Sequence, residues 1–206
     1  MDRIYNEQGP DKFVPVAWYS RGGSLYITPE AQGRAAYYGV DGYPYTWFDG
    51  IIPHRGALPT AEDTYNWYMG SFNTRRVIAS PMTIEFIHRS YGENKASVKV
   101  KLKLEQSIPE GHLCHIVLWE DKVANHYRFV ERRAYNEAVT VTNANDTQEI
   151  GTTFTLDSGW NAANLGVSVF VQHLAGKEIK QGRATMLEAG VSVTPTSLGR
   201  VKALFN

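Results

Sequence analysis

Side chains able to ligate a metal or act as nucleophiles are few in this sequence of 206 residues: one cysteine, Cys114, and six histidines. The densest grouping is His112-Leu113-Cys114-His115-Ile116-Val117. Its alternation suits a strand, on which residues two apart share a face, so His112 and Cys114 project together and, with His126, form the weak candidate metal set. No carboxylate accompanies them at a defined spacing, and the ordinary role of such a cysteine is that of a small buried hydrophobe. A single thiol excludes an intrachain disulfide, a Cys-x-x-Cys pair and an all-cysteine zinc site. Dithiol exchange needs an activated thiolate with a resolving partner, and Cys114 has neither near it in sequence. His54, His88, His115 and His173 are scattered, and the chain carries no nucleophile elbow, Gly-rich phosphate loop or zinc-protease helix. The expectation is a protein that is not an enzyme and takes no cofactor or metal. Lys plus Arg equals Asp plus Glu at 21 each, so no net field steers the chain to nucleic acid or an acidic membrane surface.

The elements that would position any site are organised around Tyr37 to Gly50. Thr28-Pro29-Glu30 reads as an N-cap with proline at the first helical position, Ala31 to Tyr38 continues the helix, and Gly39 ends it. Gly42 begins a turn in which Tyr43-Pro44 is a candidate cis peptide, aromatic-Pro being where that isomer costs least. Tyr45 to Phe48 reads as a strand, Asp49-Gly50 as a type I′ hairpin turn, and Ile51 to Ala57 as the returning strand. Pro59 to Phe72 reads as a helix with Tyr65, Tyr68, Met69 and Phe72 on one face. Upstream, Phe13 to Tyr19 reads as a buried strand, placed near an edge by Pro15. The order is strand, helix, strand, strand, helix. Tyr37, Tyr38, Tyr45 and Trp47, beside Tyr43, form an aromatic cluster that serves either as core and turn packing or as a recognition surface.

Residues 81 to 194 alternate apolar with polar positions in segments bounded by turn signals, as a sandwich does. In Val98-Lys99-Val100-Lys101-Leu102-Lys103-Leu104 the apolar residues face a core and the lysines face water. Further strands are expected at Thr83 to Arg89, Leu113 to Glu120, Tyr127 to Arg133, Gln148 to Leu156, Leu165 to Leu174 and Lys177 to Met186, about seven in all. The fold class is therefore mainly β with an α+β part, divided into a unit at residues 1 to 76, a sandwich at 77 to 194 and a tail at 195 to 206. A core is affordable, since 43% of residues are hydrophobic, and no apolar run reaches the length of a membrane span.

Tyr37-Tyr38-Gly39-Val40, Gly42-Tyr43-Pro44-Tyr45-Thr46 and Phe48-Asp49-Gly50 resemble the cis-proline region of the thioredoxin fold, with Thr46 one place later than the usual threonine and Tyr45 in its stead. Val117-Leu118-Trp119-Glu120-Asp121, Tyr127-Arg128-Phe129-Val130, Trp160-Asn161 and Phe170-Val171-Gln172 extend the likeness to the thioredoxin-like outer-membrane lipoprotein-related family. In that family an exported thioredoxin-like domain precedes an immunoglobulin-like sandwich. The first strand, the cysteine pair and its helix have no counterpart here. The resemblance implies a partial thioredoxin-like βαββα unit, an immunoglobulin-like sandwich and a periplasmic, outer-membrane-associated or extracellular location, any export signal being missing or already removed. It implies a non-catalytic binding or structural module. The alternative is a piece of a thiol-disulfide oxidoreductase lacking its Cys-x-x-Cys half. The strand absent from between Phe13 to Tyr19 and Tyr45 to Phe48 leaves a slot, to be filled by Arg3 to Asn6, by direct pairing of its flanks, or by a strand from a protein partner or another copy. Leu198 to Phe205 is the expected donor, giving a homo-oligomer.

Overall fold

A computed structural model describes residues 1–21 and 24–190. The chain opens with α1 (Asp2–Gln8), followed by α2 (Pro29–Tyr38), strands β1 (Tyr45–Phe48) and β2 (Ile52–Arg55), and α3 (Ala61–Arg75). Eight further strands follow: β3 (Met82–Gly92), β4 (Lys95–Leu104), β5 (His112–Glu120), β6 (Val130–Ala138), β7 (Thr147–Thr155), β8 (Leu165–His173), β9 (Ile179–Met186) and the short β10 (Glu188–Ala189). The protein is mainly β, with two four-stranded sheets in the orders β10-β3-β4-β7 and β6-β5-β8-β9, and a separate hairpin β1-β2.

The two large sheets share one core. Val98, Val100, Leu102, Leu104 and Ile150 of the first meet Cys114, Ile116, Leu118, Val167, Val169 and Val171 of the second. Lys99 and Lys103 are exposed and Lys101 is half-buried, as the period of two requires for a strand with one wet face. The second sheet differs, because every residue of β8 except His173 is buried, on both faces. Its outer face is covered by the amino-terminal unit. Pro15 O accepts from the Ser168 hydroxyl at 3.2 Å, Val14 packs on Gly182, and Arg34 of α2 reaches Gln172 at 2.7 Å.

That unit has its own small core of Ile4, Phe13, Phe48, Tyr68 and Phe72. Each such side chain contributes about 1.5 to 3 kcal/mol when fully buried. α2 starts where Thr28 Oγ1 accepts from Ala31 N–H at 3.0 Å and stops at Gly39, whose φ of 66° lets its N–H turn back to Ala35 and Ala36. α3 is capped by Thr60, which accepts from Asp63 N–H at 3.0 Å. Arg3 of α1 pairs with Glu7 at 2.9 Å and with Glu62 of α3 at 2.6 Å, and lies 3.6 Å over the Tyr65 ring.

Several segments differ from their sequence reading. Phe13 to Tyr19 is not a strand: it is an extended segment with one isolated bridge, Ala17 to Val130. Among the described residues no strand pairs along it, and it lies on the sandwich. Arg3 to Asn6 is helical, with Ile4 completely buried, and does not enter the slot. The order is thus helix, helix, strand, strand, helix. The strand expected from Tyr127 begins at Val130, because Phe129 at φ 53° breaks the extended run, and the one expected from Lys177 begins at Ile179, because Lys177 has φ 59°. Leu198 to Phe205 lies outside the described residues.

Candidate functional site

A cleft of about 1470 Å³ opens between the amino-terminal unit and the sandwich, lined by the 11–21 segment, residues 43–50, and parts of α2, α3, β8 and β9. Two backbone edges with spare hydrogen-bonding groups border it. Among the described residues β1 pairs only with β2. Gly56 N–H donates to Pro44 O at 2.7 Å, and antiparallel alternation then puts the remaining ladder bonds at Thr46 with His54 and Phe48 with Ile52. Pro53, opposite Trp47, has no N–H to give. The N–H and C=O of Tyr45 and Trp47 therefore point away from β2. In the 11–21 segment, Ala17 N–H donates to Phe129 O at 2.8 Å and Ala17 O accepts from Glu131 N–H at 3.0 Å. Adjacent residues of an extended chain direct their groups oppositely, so Val16 and Trp18 face the other way, with no backbone partner among the described residues.

Aromatic rings form much of the lining. Trp47 stacks on Tyr45 at 5.6 Å and an interplanar angle of 8°, and meets Tyr38 at 4.6 Å. Its buried Nε1 has no hydrogen-bond partner among the described residues. The Tyr43–Pro44 peptide is cis, and the half-exposed Tyr43 shares a 2.8 Å hydrogen bond with the Ser20 hydroxyl. The tyrosines of the sequence-derived cluster divide by role. Tyr37 donates to Leu174 O at 2.9 Å and its carbonyl accepts from Lys177 Nζ at 2.8 Å, which ties it to the sandwich. Tyr43, Tyr45, Trp47 and the edge of Tyr38 line the cleft.

The hairpin turn locks the unit in place. Asp49 and Gly50 both have positive φ, 45° and 74°, as a type I′ turn requires. Ile179 N–H donates to Asp49 O at 2.8 Å, and Arg75 spans Asp49 at 2.9 Å and Glu178 at 2.7 Å. Gly50 approaches the turn between β8 and β9 so closely that a Cβ there would lie 2.0 Å from Lys177 O.

The candidate metal residues are not brought together. Cys114 faces the sandwich core, and burial, then Glu137, pushes its thiol up to about 12, leaving no thiolate for nucleophilic chemistry. His112 is held at the start of β5, where its Nδ1 lies 2.9 Å from Pro109 O and burial lowers its pKa. His126 belongs to the turn beyond the other end of β5, against Tyr127 at 4.1 Å. Among the described residues no group of three or more His, Cys, Asp or Glu is placed to hold a metal ion.

Sequence reading gave no role to three polar residues, the partly buried Arg34 and the buried His115 and Glu131. Arg34, the single basic residue of α2, donates to Gln172 Oε1 at 2.7 Å and to the Tyr38 hydroxyl at 3.2 Å. His115 lies on Phe170 at 4.6 Å, and burial followed by Arg34 pushes its pKa down to about 3. Glu131, 1% exposed, accepts from the Thr28 hydroxyl, and burial pushes it up to about 7. A charge inside an otherwise apolar or aromatic helix face, as at Arg34, was the signal available.

Fold and site together define a two-sheet β-sandwich carrying a small α+β unit, with a cleft where the two meet. Similar solved structures include HBP35 of Porphyromonas gingivalis, with a TM-score of 0.62 and 14% identity over 82% of this chain and 62% of that one. This chain therefore spans less than two thirds of that protein, and the likeness is one of fold. Also similar is a domain of the outer membrane lipoprotein Omp28 from Porphyromonas gingivalis, at a TM-score of 0.40 and 22% identity, covering 55% of this chain and 93% of that one. No family model matches the sequence, and no curated protein matches it.

Proposed function

We propose that this chain is a non-catalytic binding module of the bacterial cell envelope whose cleft takes up an extended polypeptide segment as an added strand. One observation carries this reading: two backbone edges, at Val16 and Trp18 and at Tyr45 and Trp47, border the same cleft with their hydrogen-bonding groups unspent. A strand between them would satisfy both, and main-chain bonds supply affinity in such augmentation while alternate side chains supply specificity. The envelope location rests on the sequence resemblance to exported proteins. Absence of an enzymatic role is supported by the protonated, buried state of Cys114.

The occupant is a partner polypeptide with alternating apolar side chains. Self-association through residues 195–206 is the competing source of a strand, but Arg200 and Lys202 give that tail positive charge against a cleft in which Lys12, Arg21, Arg34 and Arg76 outnumber Asp2 and Asp11. Trp18 and Trp47 supply the assay. A capped nonapeptide alternating valine and threonine should change their fluorescence and bind saturably, and the same peptide N-methylated at alternate residues should not. Equal binding of both peptides, or of neither, would contradict strand addition. Light scattering of the full chain and of a chain lacking residues 195–206 identifies the donor: a monomer in both cases fits a foreign partner, and an oligomer lost on deletion fits the tail.

A second reading fills the same slot with the chain's own polypeptide, as an amino-terminal extension bearing a Cys-x-x-Cys pair would do in a thiol-disulfide oxidoreductase. The same unspent backbone edges favour it. An in-frame Cys-x-x-Cys upstream of Met1 would establish it.

A further inference from the structure

Among the described residues Arg34 is a cation without a counter-ion. Its guanidinium is surrounded by four aromatic rings, Trp18 at 5.7 Å, Tyr37 at 5.6 Å, Tyr38 at 4.9 Å and Phe170 at 5.2 Å. Its two hydrogen bonds go to neutral oxygens, of Gln172 and Tyr38. The other three of its five N–H donors have no partner among the described residues. No carboxylate of the described residues pairs with it, whereas Arg75, Arg128 and Lys180 of the same lining are matched: Arg75 by Asp49 and Glu178, Arg128 by Asp121, Lys180 by Glu178. The titratable neighbours that feel Arg34 are His115, which burial and then Arg34 keep neutral, and Tyr37, whose burial raises its pKa against the opposing pull of Arg34.

A desolvated charge is costly unless paired, and ring faces offset that cost in part. An arginine held by its stem and two donors, with the rest of its fork turned to a cleft, is preorganised for a planar anion. Gln172 fixes it from behind: this amide is wholly buried and donates to both Tyr38 and Lys177 O, so its oxygen is locked toward Arg34. The remaining cations of the lining, Lys12, Arg21 and Arg76, are exposed and outnumber its exposed carboxylates Asp2 and Asp11, which leaves a field of the same sign.

Resting on the reading of the cleft as a strand acceptor, we infer that Arg34 anchors an acidic side chain of the docked segment. The preferred occupant is an extended strand of alternating apolar residues in which an aspartate or glutamate faces α2. Arg34 would then set the register of the strand, because a shift by one residue turns the carboxylate to the opposite face.

The test uses the full chain and two capped nonapeptides alternating valine and threonine, one with a central glutamate and one with glutamine in its place, titrated by tryptophan fluorescence. The glutamate peptide should bind about tenfold more tightly than the glutamine peptide, the expected gain of a charge-assisted bidentate contact over a neutral one. In Arg34→Met the preference should vanish while the glutamine peptide binds as before. Equal affinities on the unaltered protein would overturn the role of Arg34 and leave the strand reading standing. A preference that survives in Arg34→Met would assign the carboxylate to another cation. Binding of neither peptide would remove the strand reading and this inference with it.

Discussion

Glu131→Gln should change how stability depends on pH. The carboxyl is 1% exposed; one oxygen accepts from the Thr28 hydroxyl, which in turn accepts from Ala31 N–H at the start of α2, and the other has no partner among the described residues. Burial raises its pKa from 4.5 to about 7, with Glu30 adding to the rise and Thr28, Arg133 and Arg132 opposing it. The raised value means the folded state holds a proton that the unfolded chain has released. Its contribution is therefore complete below about pH 4.5 and is lost as pH rises through 7, a change of about 3 kcal/mol at ~1.4 kcal/mol per pH unit. His115, lowered from 6.5 to about 3 by burial and Arg34, works in the opposite direction, its contribution being complete above 6.5 and lost as pH falls. The wild-type slope alone is thus a mixture, and the difference between variant and wild type isolates Glu131. Glutamine keeps an acceptor for Thr28 and cannot ionise. Urea unfolding of both proteins at pH 4.5 and about pH 8 should show Glu131→Gln gaining about 3 kcal/mol on wild type across that interval. A difference between the two proteins that stays constant with pH would refute the reasoning.

Three further outcomes are expected. Gly50→Ala should destabilise by about 2 to 4 kcal/mol, since φ is 74° and the new methyl would meet the Lys177 carbonyl; a loss below about 0.5 kcal/mol in a urea titration would show that the hairpin turn does not seat there. Leu102→Ala, at a completely buried site between the sheets, should cost about 2 to 5 kcal/mol by the same assay, and a near-neutral result would mean the sandwich faces are inverted. Cys114 should resist a thiol-specific reagent at neutral pH in the native protein and react rapidly in urea; native labelling at the rate of a free thiol would contradict its burial.

The sandwich was legible because its code is local. A period of two from Val98 to Leu104 fixes which residues face the core, and the register Lys99 with Gly151 and Val100 with Ile150 follows once the sheets close on that face. α2 announced itself through Thr28, Pro29 and Gly39, whose capping chemistry involves neighbours within four residues. What sequence did not show depends on distant partners. Phe13 to Tyr19 has the composition of a buried strand, yet a strand needs a ladder, and here the chain offers Ala17 only two backbone bonds to the start of β6. The two-sided burial of β8 was implicit in Phe170 and Gln172 alternating with Val169 and Val171, but what covers the outer face comes from residues 14 to 50. Arg34 was passed over for the same reason: its partners Gln172 and Phe170 lie more than 130 positions away along the chain.

Amide hydrogen exchange in the presence and absence of the alternating valine and threonine peptide tests the strand-accepting cleft most directly. The proposal requires new protection at the N–H groups of Val16, Trp18, Tyr45 and Trp47, with Ala17, Thr46 and Phe48, whose groups point the other way, little changed. Saturable binding that leaves those four amides unprotected would contradict it.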